Sequence, residues 1–314
     1  MFITCGEALY DMFVKPAQNG NAHGVSIDGV VGGSPLNMAL GLARMGNRVS
    51  LFTRISNDAF GQRLRSFMRE HGIDDGYCVA TDQPTTLAMV ETDANGHPSY
   101  SIYSNGTADC SMELTDIPAE LDARDDVIHL GSFATVLDPS GATLREFAKR
   151  NTATHFITYD PNVRLVVVPE VDQWREKTEA LLPLAGMVKA SDEDLGIIYP
   201  DRPIEQFIEQ SLVAGADICI VTKGPDGALI GSADGRLMHI PGVKVDVVDT
   251  VGAGDTFMAA SMHYLASQNA CSKGKARDVD LAEMGTFAVK AAAITCSRRG
   301  ADLPSLSDIE AFDG

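Results

Sequence analysis

The residues best placed for chemistry lie in the stretch Val247-Val-Asp-Thr-Val-Gly-Ala-Gly-Asp-Thr-Phe-Met-Ala-Ala260, where a β-branched run meets a glycine turn and then a helical pattern. Gly252 and Gly254 let the backbone approach a ligand closely. The free N–H groups of a first helical turn, together with the helix dipole, attract anions. Asp255 stands in that same turn, which is a paradox for simple phosphate binding. One role for it is an N-cap. The other is a general base that takes the proton of an attacking hydroxyl while the Gly252-Ala253-Gly254 amides hold a transferring phosphoryl group. Phe257 occupies the place of the third glycine in GxGxxG, and GxxxxGK[ST] is absent, so dehydrogenase and Walker-type ATPase chemistries are disfavoured.

A second glycine-rich stretch, Gly32-Gly-Ser-Pro-Leu-Asn-Met-Ala-Leu-Gly-Leu-Ala-Arg-Met-Gly46, reads as a helix with Ser34 as N-cap, Pro35 in first helical position and Gly46 as terminator. Asn37 and the Gly-Gly pair exceed what the helix needs. Asp11 follows the first strand in Gly6-Glu-Ala-Leu-Tyr-Asp11, where open α/β sheets bind ligands and where a carboxylate can accept from neighbouring hydroxyls. Asp160-Pro-Asn-Val-Arg164 ends another strand, and Thr222-Lys-Gly-Pro-Asp-Gly227 reads as a turn after a buried strand.

Together these motifs resemble the ribokinase-like (pfkB-type) carbohydrate kinase family. Asp249-Thr-Val-Gly-Ala-Gly-Asp-Thr-Phe257 is similar to its C-terminal signature and the Gly32–Gly46 stretch to its N-terminal one. The Gly6–Asp11, Gly32–Asn37, Asp160–Arg164, Lys189–Asp194 and Thr222–Ala228 segments are similar to those of bacterial fructokinases. The resemblance implies ATP-dependent phosphorylation of a sugar, with Asp255 as base. It assigns Asp11, Gly33, Asn37, Tyr103, Asn162 and Arg164 to the sugar, and Lys189, Ser191, Thr222, Gly224 and Gly227 to ATP. Asp194 would hold Mg2+ through water, and Asp249 with the loop near Gly300 a monovalent cation such as K+. The chain departs from the family where Ser191 and Asp194 replace the usual Asn and Glu, where Val289 replaces an adenine-edge Asn, and where Ser104 replaces an arginine of the fructokinases. Fructose is the leading substrate. 2-Keto-3-deoxygluconate or a riboside is the alternative within the class, and a non-catalytic sugar- or nucleotide-binding relative lies outside it.

The elements that must position these residues run the whole length of 314 residues. Buried strands are expected at Phe2–Leu9, Val49–Ile55, Val127–Phe133, His155–Asp160, Met187–Ala190 and Ile218–Thr222. Helices are expected at Pro35–Met45, Asp58–His71, Gly141–Arg150, Gln173–Leu182, Ile204–Ala214, Thr256–Ala266 and Leu281–Ser297. That alternation describes an α/β fold, a mostly parallel central sheet flanked by helices. Two stretches break the rhythm, and Asn95-Gly96 between alternating runs is a hairpin signal. They predict one kinase domain over 1–314 with a small β-sheet lid from about 12–31 and 85–105, which could also pair two copies into a homodimer.

Composition sets the remaining bounds. With 25 Lys and Arg against 43 Asp and Glu, the net charge of −18 repels nucleic acid and anionic lipid. Six scattered cysteines form no CxxC pair and read as core thiols of a reducing compartment. Glu7 and Asp11 fall where a signal peptide would be apolar, and no apolar run approaches the roughly 20 residues of a membrane span. A cytoplasmic protein without membrane partners is expected.

Overall fold

The computed structural model describes residues 1–15, 24–92, 98–122 and 127–312. In chain order their strands are β1 (Phe2–Cys5), β2 (Leu9–Lys15), β3 (Ser26–Gly32), β4 (Val49–Ser56), β5 (Ile73–Asp74), β6 (Cys78–Thr81), β7 (Leu87–Thr92), β8 (Pro98–Tyr103), β9 (Val127–Gly131), β10 (Phe156–Asp160), β11 (Met187–Ser191), β12 (Ile218–Thr222), β13 (Ala228–Ser232) and β14 (Leu237–Ile240). The α-helices are α1 (Ser34–Arg44), α2 (Ala59–Glu70), α3 (Ser140–Asn151), α4 (Val171–Leu181), α5 (Asp192–Ile198), α6 (Ile204–Ala214), α7 (Ala253–Ser267), α8 (Leu281–Cys296) and α9 (Leu306–Glu310).

The large sheet has the order β14-β13-β12-β11-β10-β9-β1-β4-β5, with β6 also pairing β4. From β12 to β5 its pairs are parallel, and β13 and β14 join antiparallel at one edge. Register lines up Phe156, Val127, Phe2 and Val49 across four strands. These side chains pack with Leu36, Leu64, Met258 and Met284 of α1, α2, α7 and α8. The next residues, Ile157, Ile128 and Ile3, face the other way and pack with Phe147, Trp174 and Phe207 of α3, α4 and α6. A period of two with both faces covered is why these strands read as continuous apolar runs.

The run Phe2–Leu9, expected as one strand, is two elements in two sheets. Gly6, at φ 130° and pressed against Pro35 and Ala134, turns the chain out of the large sheet after β1. A residue with a Cβ is strained there, so the apolar run could not continue straight. β2 then opens a separate four-stranded sheet of order β3-β2-β7-β8. β2 pairs β3 antiparallel and β7 parallel, and β7 pairs β8 antiparallel. The sheet expected from about residue 12 begins at Leu9, because β2 opens it directly after the turn at Gly6. The Asn95-Gly96 turn and residues 16–23 lie outside the described residues.

Between β1 and β9 the order of connection reverses, because the chain proceeds from β1 toward β4 on one side and later fills β9 to β12 on the other. Ligands of open α/β sheets bind beyond the strand C-termini at such a point. Glu7 follows β1, Ser132 follows β9, and Asp160, Ser191 and Thr222 end β10, β11 and β12.

Candidate active site

Asp255 sits in the first turn of α7, whose N-cap is Gly252 at φ 79°. The amide of Ala253 turns back to the Thr250 carbonyl, and that of Thr256 bonds Gly252. Gly254 and Asp255 amides donate to no acceptor among the described residues, leaving two N–H groups at the helix mouth for an anion. The preceding Val247 and Val248 are 65% and 61% exposed and belong to no strand, so the β-branched run before the turn is surface loop.

Two helix N-termini meet here. Gly41 of α1 brings its backbone against Ala259 of α7, and one turn back along each helix Asn37 reaches Asp255. Asn37 Nδ2 donates to Asp255 Oδ2 at 2.9 Å. Ser34 Oγ donates to Asp255 Oδ1 at 2.6 Å, and Asn162 Nδ2 donates both to Ser34 Oγ at 2.8 Å and to Asp255 Oδ1 at 3.3 Å. All four side chains are buried. Ser34, read from the sequence as an N-cap, is not one: Gly33 at φ 105° is the N-cap, and no side chain caps this helix. Glycine is required there because a Cβ would lie 2.6 Å from the Glu7 carbonyl oxygen. Asn162, at φ 41° after Pro161, occupies the left-handed region that asparagine tolerates, and this turns its amide into the site.

Beside Gly254 lies the ammonium of Lys189, 3.0 Å from where a Cβ would stand. Lys189 is buried and donates to Asp160 Oδ2 at 2.8 Å. Burial opposes its charge, but Asp160, Asp194 and Asp255 outweigh burial and hold it above the usual lysine range. Asp160 Oδ1 is buried without a partner. Asp194 closes a capping box with Ser191 on α5 and accepts from the Val163 amide at 2.8 Å, so it also pins the loop carrying Asn162. Ser191 and Thr222 pair on neighbouring strands, and Gly224 and Gly227 form the tight turn that follows. Gly227 also has a packing reason, since a Cβ would lie 2.0 Å from the Ile240 carbonyl oxygen.

On the other flank, Asp11 contacts Gly32 so closely that a Cβ there would be 2.3 Å from Oδ2. Burial pushes its pKa up to about 6, with Arg164 opposing and Asp255 adding. Arg164 is exposed, and its guanidinium donates to the Val163 carbonyl at 2.8 Å. Tyr103, at the end of β8, is 64% exposed. Asp249 and the Gly300 loop do come together, with Gly300 N–H donating to Oδ2 at 2.9 Å and Val251 N–H to Oδ1 at 3.1 Å. Val289 is a buried core residue of α8.

The sequence reading gave Ser34, Glu7 and Asp160 no role in the site. An acid embedded in the apolar Phe2–Leu9 run was the available signal for Glu7, which is 1% exposed with Oε2 unpartnered. Burial lifts its pKa from 4.5 to about 7, against the Ser132 hydroxyl and Arg164 and aided by Asp109. Between those values Glu7 binds more protons in the folded chain than in the unfolded one, so its contribution to stability falls as pH rises from 4.5 to 7. Glu7→Gln is expected to flatten that fall and to raise stability at pH 8 by up to about 3 kcal/mol, since each tenfold difference in proton affinity between the folded and unfolded chain is worth about 1.4 kcal/mol. Melting temperatures of the two proteins across pH 4.5–8 test this, and parallel curves would refute it.

The chain matches the pfkB family carbohydrate kinase pattern over residues 2–308. It belongs to that family. A fructokinase of Rhizobium leguminosarum bv. trifolii is 31% identical over 282 residues, 89% of this chain and 84% of that protein. A fructokinase of Xylella fastidiosa, solved with bound ATP, superposes with a TM-score of 0.86 at 24% identity, covering 98% of this chain and 96% of that one. A fructokinase double mutant of Vibrio cholerae O395, solved with fructose, ADP and potassium ion, gives 0.83 at 23% identity over 99% and 97%. The protein is a carbohydrate kinase of ribokinase-like fold. No helix among the described residues is long and apolar enough to cross a membrane.

Proposed function

We propose that this pfkB kinase transfers the γ-phosphoryl group of ATP to a sugar hydroxyl, converting fructose to fructose 6-phosphate. The observation that carries the reading is the buried Asp255 carboxylate beside two free helix-mouth amides. The sugar oxygen attacks the γ-phosphorus, its proton passes to Asp255, and the bond to the β–γ bridging oxygen breaks with its electron pair leaving on ADP. The Gly252-Ala253-Gly254 turn and the Lys189 ammonium face the charge on the transferred group.

Asp11, Gly33, Asn37, Asn162 and Arg164 surround the sugar in this reading, and Tyr103 reaches it only when the small sheet closes as a lid. Closure excludes water, so that hydrolysis of ATP does not compete. Ser191, Thr222, Gly224 and Gly227 line the nucleotide side. The buried, partnerless Asp160 Oδ1 suits a hard cation, and with Asp194 it would hold the water shell of Mg2+, which neutralises phosphate charge. Asp249 retains lone pairs for a monovalent cation beside the Gly300 loop. The edge strand β3, exposed along Ser26–Val30, is the surface through which a second copy would pair.

ADP release measured against fructose, other hexoses, 2-keto-3-deoxygluconate and ribosides tests the assignment. Fructose is expected to give the highest kcat/KM. A keto acid turned over faster would reassign Arg164 to a substrate carboxylate, and no turnover with any sugar would end the proposal.

A further inference from the structure

We infer that Ser34 is a positioning residue for the phosphoryl-transfer base, a role that rests on the reading of Asp255 as that base. Its hydroxyl makes the shortest bond to the carboxylate, 2.6 Å to Oδ1, and accepts from Asn162 Nδ2 at 2.8 Å. Asn162 also reaches Oδ1, at 3.3 Å. A hydroxyl carries one proton. With Asn162 donating to its oxygen, Ser34 directs that proton at Asp255.

The two oxygens of the base are thereby made different. Oδ1 is held by Ser34 and Asn162, whereas among the described residues Oδ2 meets only Asn37, at 2.9 Å. Oδ2 is the oxygen left to receive the substrate proton. Ser34 is 8% exposed and lies in the first turn of α1, on the same helix as Asn37, so α1 sets both contacts to the carboxylate. Asn162 ties this helix to the loop after β10, and a small displacement of either element would turn the carboxylate away from the hydroxyl it deprotonates.

The experiment is a double-mutant cycle on the full-length chain, with kcat and both KM values read from ADP release and folding checked by melting temperature. Ser34→Ala is expected to lower kcat about tenfold, the scale of a hydrogen bond to a charged group, with the sugar KM within about twofold. In the Asp255→Asn background it is expected to cost nothing further, because a residue acting only through the base has nothing left to position. An equal loss in both backgrounds, or a rise in sugar KM with kcat unchanged, would overturn the inference and make Ser34 an independent contact or a sugar ligand. If Asp255→Asn itself stays near wild type, the base assignment fails instead. Should Ser34→Ala melt early, Ser34→Thr keeps the hydroxyl, and kcat then has to recover.

Discussion

Replacing Asp255 with asparagine is expected to lower kcat by about 100-fold or more while leaving the fold intact, because proton removal by a positioned base is worth that much. The substitution keeps the shape of the side chain. The Ser34 hydroxyl can still donate to a carbonyl oxygen at the Oδ1 position, now 2.6 Å away from it. The Asn37 amide, 2.9 Å from Oδ2, would face an NH2 group unless one of the two amides rotates. Some loss of order at Asn37 therefore accompanies the loss of the base, and the sugar KM is expected to rise modestly while kcat carries most of the effect. Steady-state ADP release with saturating ATP separates the two. An Asp255→Asn enzyme within about tenfold of wild type would remove the carboxylate from the chemical step.

The second large effect is on stability. Lys189→Met would leave the Asp160 carboxylate, 1% exposed and bonded to the ammonium at 2.8 Å, without its counter-charge. Removing one partner of a buried pair costs about 3–5 kcal/mol, because the other charge stays desolvated and unpaired. Asp160→Asn added to Lys189→Met should recover most of that loss, since an amide carries no charge to strand. The KM for ATP should stay raised in the double variant, because the cation beside Gly254 is still missing. Urea unfolding midpoints and ATP titrations read the two consequences separately. Equal stability of Lys189→Met and wild type would mean that Asp160 takes up its proton or finds another partner at no cost.

Much of the frame was legible because it rests on local signals. The strands of the parallel sheet are apolar on both faces, helices such as α2 begin at caps such as Asp58, and Gly252 needs its φ of 79° whatever lies around it. Asp255 at a glycine turn, Asn37 one turn into a helix and Asn162 after Asp-Pro could each be singled out from residue type and neighbours. The division of Phe2–Leu9 between two sheets could not be read in the same way. Its turn depends on Gly6 packing against Pro35 and Ala134, which are distant in the chain.

Residue types and their order determined an α/β kinase of the pfkB kind, with its acid in a helix mouth and its candidate ligands at strand ends. Only the tertiary structure decided which of those groups touch. Ser34 is separated from Asp255 by 221 positions, and Asp160 from Lys189 by 29. Sequence reads Ser34 as a cap and, by resemblance, Lys189 as an ATP ligand, because a local pattern is silent about contacts made across the sheet. Packing α1 on α7 and setting β10 beside β11 turns the first into the partner of a carboxylate and the second into half of a buried pair. Burial then raises what each contact is worth, since a desolvated charge depends on its partners far more than an exposed one.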